Sequence, residues 1–579
     1  MAWRLPSAAS LAHFCRKLNR LKTLEESTTE MSLSRGLSML DLTLLGVGGM
    51  VGSGLYVLTG TVAREMAGPA VLVSFAVAVV ASLLAALCYA EFGAHVPGMG
   101  SAYLFTYVFM GKLWAFLVGW TLLLVDLLHG ALVARACSGY LDVMFGHQIH
   151  YFSETHISAW QVPFLAQHTD FLALGIILLA FAFVSCRAHV SSWLNHTFTV
   201  LYVILFIIIL GFSLASLQSW SAKEGGFVPF GFSGIMASTS IYFYAFVGFE
   251  DIAASSKDAQ NPQKAVPTAI TISLVLAATA YILVSTVLIL MVPWHNPPLP
   301  LTTFPKFFNG PVTETGWEAP HSCSSATAMI MVLLSILLFL PHLVYAVADG
   351  LFFQVFAHVH PWSQVLMMAT LVFGVLMALL ALVLDFDALV QFISFGSLLT
   401  YTFLAASTIR LHFQKTSSSR SLGPASPEPE TNSSVPLQLV SDEHASGPEP
   451  GQLRPVLRTY LGFLGECGHG TTMAWALSLL VASAIALSGM LISGVSALDF
   501  LCWGYILLVL LSRVTFLLSL TVLVAHHQER LQDTFQMPLV PLTPALSILL
   551  NIYLMLNLGY LPWLSFFVWL LIGLMVYFG

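Results

Sequence analysis

The sequence predicts an all-α polytopic membrane protein: a ten-helix core of two inverted five-helix halves with helices 1 and 6 broken, plus four extra C-terminal transmembrane helices, fourteen in total. Three observations carry this. Of 579 residues, 57% are hydrophobic and 8% charged, whereas a soluble protein carries about 25% charged residues. Apolar runs of about 20 residues, the length that spans a bilayer, recur along the chain. The first and sixth runs each contain residues that a continuous apolar helix does not need.

The runs lie at 40–61, 68–92, 113–135, 169–187, 194–216, 232–254, 267–293, 326–348, 364–385, 388–409, 473–494, 499–524, 541–558 and 560–578. An even number of spans puts both termini on one side. The predicted outer loop 136–168 holds no Lys or Arg, although Arg135 closes the span before it. The predicted inner side holds Arg4, Arg16, Lys17, Arg20, Lys22, Arg35, Lys112, Lys257, Lys264 and Arg410 among others. Positive charge stays on the cytoplasmic side, so both termini are expected there.

Four regions follow. Residues 1–37 form a basic cytoplasmic N-terminus, too polar for a cleavable signal peptide. Residues 38–410 form the ten-helix core. Residues 411–465, with Pro427-Glu428-Pro429-Glu430, read as a disordered cytoplasmic linker. Residues 466–579 hold the last four helices, and no soluble domain is expected after Gly579.

The chain is organised around its first span, where Gly46, Gly48, Gly49, Gly52 and Gly54 crowd together. Irregular backbone survives at membrane depth only where protein or a water-filled cavity covers it. Gly52-Ser53-Gly54 is therefore a candidate helix break. A half-helix restarting there would aim free N–H groups and a positive dipole end at the gap, a seat for a carboxylate. The alternative is a small-residue face that lets another helix approach.

The sixth span carries Tyr244-Ala245-Phe246-Val247-Gly248-Phe249-Glu250-Asp251. Acids inside a span are expensive and usually mark a polar pathway. Here too an alternative stands: the span ends near Phe249 and the acids sit at the interface. Interrupted helices at matching positions of two halves point to an inverted-repeat transporter with its site at the midplane.

The remaining polar residues suggest little chemistry. Seven cysteines show no metal-ligand spacing; Cys137 and Cys323 could pair at the outer face. His358-x-His360 and His526-His527 lack the carboxylate or thiol company of a metal site. Glu91 ends the second span and reads as a structural helix-end acid. No metal, cofactor or nucleic-acid partner is expected, and an enzyme or an ion channel is disfavoured.

Five motifs carry a resemblance. They are the run from Leu42 to Leu58, Cys88-Tyr89-Ala90-Glu91-Phe92-Gly93, Gly100-Ser101-Ala102-Tyr103, Tyr244-Ala245-Phe246-Val247-Gly248-Phe249 and Asn261-Pro262. Through them the chain resembles the cationic amino acid transporters of the amino acid–polyamine–organocation superfamily, and looks most like an atypical member. The resemblance implies a LeuT-like core and sodium-independent alternating access at the plasma membrane. It implies that the Gly52, Ser53 and Gly54 amides hold a substrate carboxylate. Carbonyls around Tyr244, Ala245 and Phe246 would hold the α-ammonium, with aromatics of that helix, Phe249 beside Gly248 included, as the gate.

Departures bear on the substrate's side chain. Relatives carry Trp-Asn-x-x-Leu-Glu in the third span; here the glutamate position is Val125, followed by Asp126. One residue along a helix turns the side chain by about 100°. The family's Gly-Phe-Asp is Gly248-Phe249-Glu250, and its Pro-Arg is Pro341-His342. Glu250, Asp126 and the Val125 position are thus the candidates for meeting a side-chain charge, with a hydrated helix end as the alternative for each acid. The expected function is transport of amino acids, cationic ones (arginine, lysine, ornithine) first. The alternatives are a transport-inactive amino acid sensor or partner subunit, or a carrier of non-cationic amino acids. The expected partners are the amino acid and the lipid bilayer; the oligomeric state is open.

Overall fold

Helices account for nearly all of the structure, a computed structural model that describes residues 36–51, 54, 62, 66–95, 101–145, 148, 151, 165–166, 169–186, 227–291, 318–347, 367–413, 469–496, 503–526 and 535–578. In chain order these are α1 (Met39–Met50), α2 (Val71–His95), α3 (Ser101–Phe109), α4 (Lys112–Met144), α5 (Phe171–Cys186), α6 (Gly231–Tyr242), α7 (Glu250–Ala254), α8 (Pro262–Met291), α9 (Glu318–Val347), α10 (Met367–Val383), α11 (Phe386–Leu411), α12 (His469–Ser496), α13 (Trp503–Ala525), α14 (Leu542–Asn557) and α15 (Tyr560–Phe578). Among the described residues, eight helical stretches are long and apolar enough to cross a membrane, and five shorter apolar helices accompany them. The span expected at 194–216 and the linker expected beyond residue 413 lie outside the described residues.

Local chemistry sets the ends that matter here. At the start of α1 the Asp41 amide donates to Ser38 Oγ at 3.3 Å and the Ser38 amide donates to Asp41 Oδ2 at 2.8 Å, a reciprocal capping box. Just before it, Gly36 and Leu37 donate to the Asp258 carbonyl and the Gln260 amide donates to that of Leu37. This short parallel bridge straps the entry of the first span to the exit of the sixth. Pro262 then opens α8, where its missing N–H costs nothing.

The third span is longer than its apolar run. It was expected to end at 135, but α4 continues to Met144. Arg135 does not mark a water interface. Its guanidinium donates to the carbonyls of Leu384 and Ala381, which end α10, with Asp170 and Asp385 within electrostatic range. Asp170 in turn accepts from the Ala173 amide at 2.9 Å and from the Ser138 hydroxyl at 2.8 Å. The charge is satisfied by protein, so the helix passes through it. The disulfide suggested for Cys137 is corrected too: Cys137 is a buried free thiol, 3.8 Å from the Ala326 carbonyl.

Among the helices before residue 413, most of the extensive contacts fall into two groups. In one, α1, α2, α6, α7 and α8 pack together; in the other, α4, α5, α9 and α10 do, and α11 touches both. Within the first group the α2–α6 seam is built from small polar residues. Ser74 Oγ and Ser238 Oγ are 2.8 Å apart and Thr239 reaches the Ser74 carbonyl. Small residues let helices approach where no hydrophobic force drives them together in lipid.

The last helices dock on this core, α14 on α11 and α15 on α11 and α4. Trp120 of α4 and Trp569 of α15 stack at 4.5 Å between centroids. Each indole N–H donates to the other's backbone carbonyl, at 2.9 and 3.0 Å. A Trp569→Leu substitution removes the stacked pair and the hydrogen bond from the Trp569 indole to the Trp120 carbonyl, while the Trp120 indole keeps the backbone carbonyl of residue 569 as its acceptor. The expected loss is about 1–3 kcal/mol, read as a fall in the thermal midpoint of the purified protein.

Candidate functional site

The sixth span does not run as one helix. Hydrogen bonding of α6 gives way at Phe243–Phe246 to a 3-10 turn, and Val247 is extended, at φ −66° and ψ 132°. Gly248 has φ +130°, a region that L side chains rarely adopt. The helix resumes as α7, which opens with Glu250 and Asp251. Gly248 is demanded twice over, because a β-carbon there would lie 2.7 Å from the Gly49 carbonyl carbon. The end of α1 and the interruption in the sixth span touch backbone to backbone.

Tyr281 of α8 closes this contact. Its hydroxyl lies 2.8 Å from the Met50 carbonyl oxygen and 3.0 Å from that of Ala245. With one proton it donates to one of them or is shared between both. Gly54 sits against the same groups: a β-carbon there would be 2.7 Å from the Tyr281 hydroxyl and 2.8 Å from Ala245 Cα. Gly52 and Ser53, proposed from the sequence as carboxylate holders, lie outside the described residues.

Glu250 is held at the restart of the helix. Its Oε2 accepts from the Gly248 amide at 2.8 Å and from the Tyr401 hydroxyl of α11 at 3.0 Å. Asp126 of α4 and Asp251 both lie within electrostatic range of Glu250 and of each other. Asp126 is half-buried midway along α4 rather than at a hydrated helix end. Val125, one residue round the helix, faces elsewhere. Its Cγ2 packs at the α11 backbone by Gly396, where Phe566 of α15 also sits. So Asp126, not the position that matches the family's glutamate, joins the carboxylate group.

Aromatic rings enclose the interruption. Tyr244 meets His129 of α4 edge-on at 5.4 Å. Phe249 packs with Tyr89 and Tyr401, each at 5.5 Å. Phe246 packs with Tyr281 at 5.2 Å and Phe243 with Tyr401 at 5.5 Å. Tyr281, Tyr401 and His129 were missed in the sequence. A lone Tyr or His in an apolar run carries no spacing signal, and only the fold shows where its polar atom points. Glu91 stands apart: fully buried, it pairs with His412 at 2.7 Å, tying α2 to the end of α11.

The pattern of this chain matches the amino acid permease family over residues 37–436, and the C-terminal region of that family over residues 535–579. The chain belongs to the amino acid permease family, a family of multi-pass integral membrane proteins and not of enzymes. Along its whole length it is 63% identical to cationic amino acid transporter 4 of Mus musculus and 62% identical to that of Homo sapiens, covering 92% of each. It is 31% identical to the vacuolar cationic amino acid transporter 4 of Arabidopsis thaliana, over 94% of this chain and 91% of that one. Among solved structures it is similar to MhsT in complex with L-phenylalanine, with a TM-score of 0.47 and 15% identity over 65% of this chain and 90% of that one.

Proposed function

We propose that the chain carries cationic amino acids across a membrane by sodium-independent alternating access in a LeuT-like 5+5 core. The amino acid backbone binds between the first and sixth spans, its carboxylate at Gly52-Ser53-Gly54 and its ammonium at the carbonyls around Tyr244, Ala245 and Phe246 in the sixth-span interruption. The cationic side chain lies toward Glu250 and Asp126. What carries the reading is the meeting of the α1 end with the interrupted sixth span beside a carboxylate group. An unpaired ammonium at membrane depth costs several kcal/mol, and Glu250 supplies the opposite charge. The two groups of helices supply bodies that can rock against one another, with α11 between them. Family membership and the names of the relatives agree with this reading, and the plasma membrane is its location.

Tyr281 shapes the mechanism. Its hydroxyl occupies two carbonyls that a substrate ammonium, with three donors, would seek. Binding therefore has to displace that hydroxyl. Tyr281→Phe should lower the arginine KM, about fivefold, by removing the competitor. Initial-rate uptake of labelled arginine into liposomes tests this, and an unchanged or higher KM overturns the competitor role. The second reading, a transport-inactive sensor or partner subunit, is favoured by that same self-occupied site and by Val125. Saturable arginine binding with no flux in either protein would establish it over transport.

A further inference from the structure

Arg513 lies on α13, a helix whose extensive contacts are with α12. This helix presents an apolar surface outward, with Ile506, Leu510 and Leu517 each about half exposed. Arg513 lies on that same face, one turn from Leu510 and one from Leu517, and is itself exposed. At 1.5 Å per residue it is about 15 Å from Trp503 and about 18 Å from Ala525. The hydrocarbon core is about 30 Å thick, so Arg513 stands near its middle.

A guanidinium is costly at that depth. Snorkelling brings it toward an interface, but an arginine side chain falls well short of 15 Å. Its five N–H donors face a region without water. Among the described residues, nothing is bonded to it. The sequence narrows the internal candidates further: neither α12 nor the apolar stretch 194–216 contains an Asp or Glu. Of the acids deep within the described spans, Glu91 is paired with His412, and Asp126, Glu250 and Asp251 gather at the sixth-span interruption, while Asp142 lies at the end of α4.

We infer that the α13 face around Arg513 is a docking surface for the spanning helix of another membrane protein that carries a carboxylate at mid-depth. Apolar contact with Ile506, Leu510 and Leu517 would flank one charge-assisted hydrogen bond. A second copy of this chain fits badly. A two-fold dimer through this face sets Arg513 against Arg513, and like charges suppress that pairing.

The test reconstitutes the full chain in phosphatidylcholine vesicles with a labelled synthetic poly-leucine spanning peptide and reads energy transfer to a label on the protein. The peptide carries one Glu, Gln or Leu at its midpoint. The Glu peptide should bind at least tenfold more tightly than the Leu peptide. Arg513→Leu should erase that preference, and Arg513→Lys should keep part of it. Equal binding of all three peptides overturns the inference, as does a preference that survives Arg513→Leu. So does disulfide cross-linking of two copies of a Leu510→Cys variant. The thermal midpoint of the Arg513→Leu variant without peptide should hold or rise. A fall would mean that Arg513 already has a partner within the chain, and would overturn the inference too.

Discussion

Glu250→Gln is expected to cut arginine uptake by about 10- to 100-fold while leaving uptake of citrulline, its uncharged near-isostere, nearly unchanged. The substitution is chosen to separate two roles. Oε2 of Glu250 accepts hydrogen bonds from the Gly248 amide and the Tyr401 hydroxyl. A glutamine oxygen can accept the same two bonds, so the restart of the helix should survive. What disappears is the negative charge. A charged hydrogen bond is worth about 1.5–3 kcal/mol, and each 1.4 kcal/mol is about tenfold, which sets the range. Asp126 and Asp251 lie near enough to retain part of the attraction, which keeps the loss from being total. Uptake of the two substrates side by side in liposomes checks this. An equal fall for both would mean that Glu250 holds the backbone rather than selecting the cation. No fall for either would remove it from the site.

Gly248→Ala is expected to do more general damage. The φ of +130° strains any L side chain, at about 1–3 kcal/mol. The new methyl would also sit 2.7 Å from the Gly49 carbonyl carbon and 3.0 Å from its oxygen. These are backbone atoms with no rotamer to yield, so overpacking adds about 1–3 kcal/mol. Together they amount to a loss of about 2–6 kcal/mol, enough to separate the first span from the sixth. The measurable outcome is a reduced monodisperse yield, a lowered thermal midpoint and no uptake. Gly175→Ala in α5 is the control, since a β-carbon there meets nothing within 4 Å. It should be neutral or slightly stabilising, because alanine is the better helix former. A wild-type profile for Gly248→Ala would mean that the two spans are not in contact as described.

How much of this was legible in the residues follows from the physics of each signal. Hydrophobicity adds up over 20 residues, so spans are readable without neighbours. Helix after helix in the structure falls on an apolar run, and α14 and α15 match theirs closely. A glycine beside two acids in an apolar run is a local anomaly. Gly248, Glu250 and Asp251 could therefore be singled out before any packing was known.

Other features depend on what lies across a seam, and no local pattern reports that. Arg135 looked like the end of a span, because a lone Arg in a sequence is normally solvated. Only the carbonyls at the end of α10 show why the helix continues. Asp126 and Val125 differ by one step, yet one faces Glu250 and the other Gly396. That choice is made by the rotation of α4 against α11, which its own residues do not specify. Tyr281 and Tyr401 are two among 17 tyrosines. Their hydroxyls meet partners 36 to 231 residues away in sequence. Class, the positions of the spans that the structure describes and the anomaly in the sixth span were thus legible in the sequence itself, since each rests on composition or on neighbours along the chain. Which carboxylates gather, which hydroxyl fills the carbonyls and which face of α4 meets the site were decided only by tertiary packing, where each contact depends on the rotation and depth of separate helices.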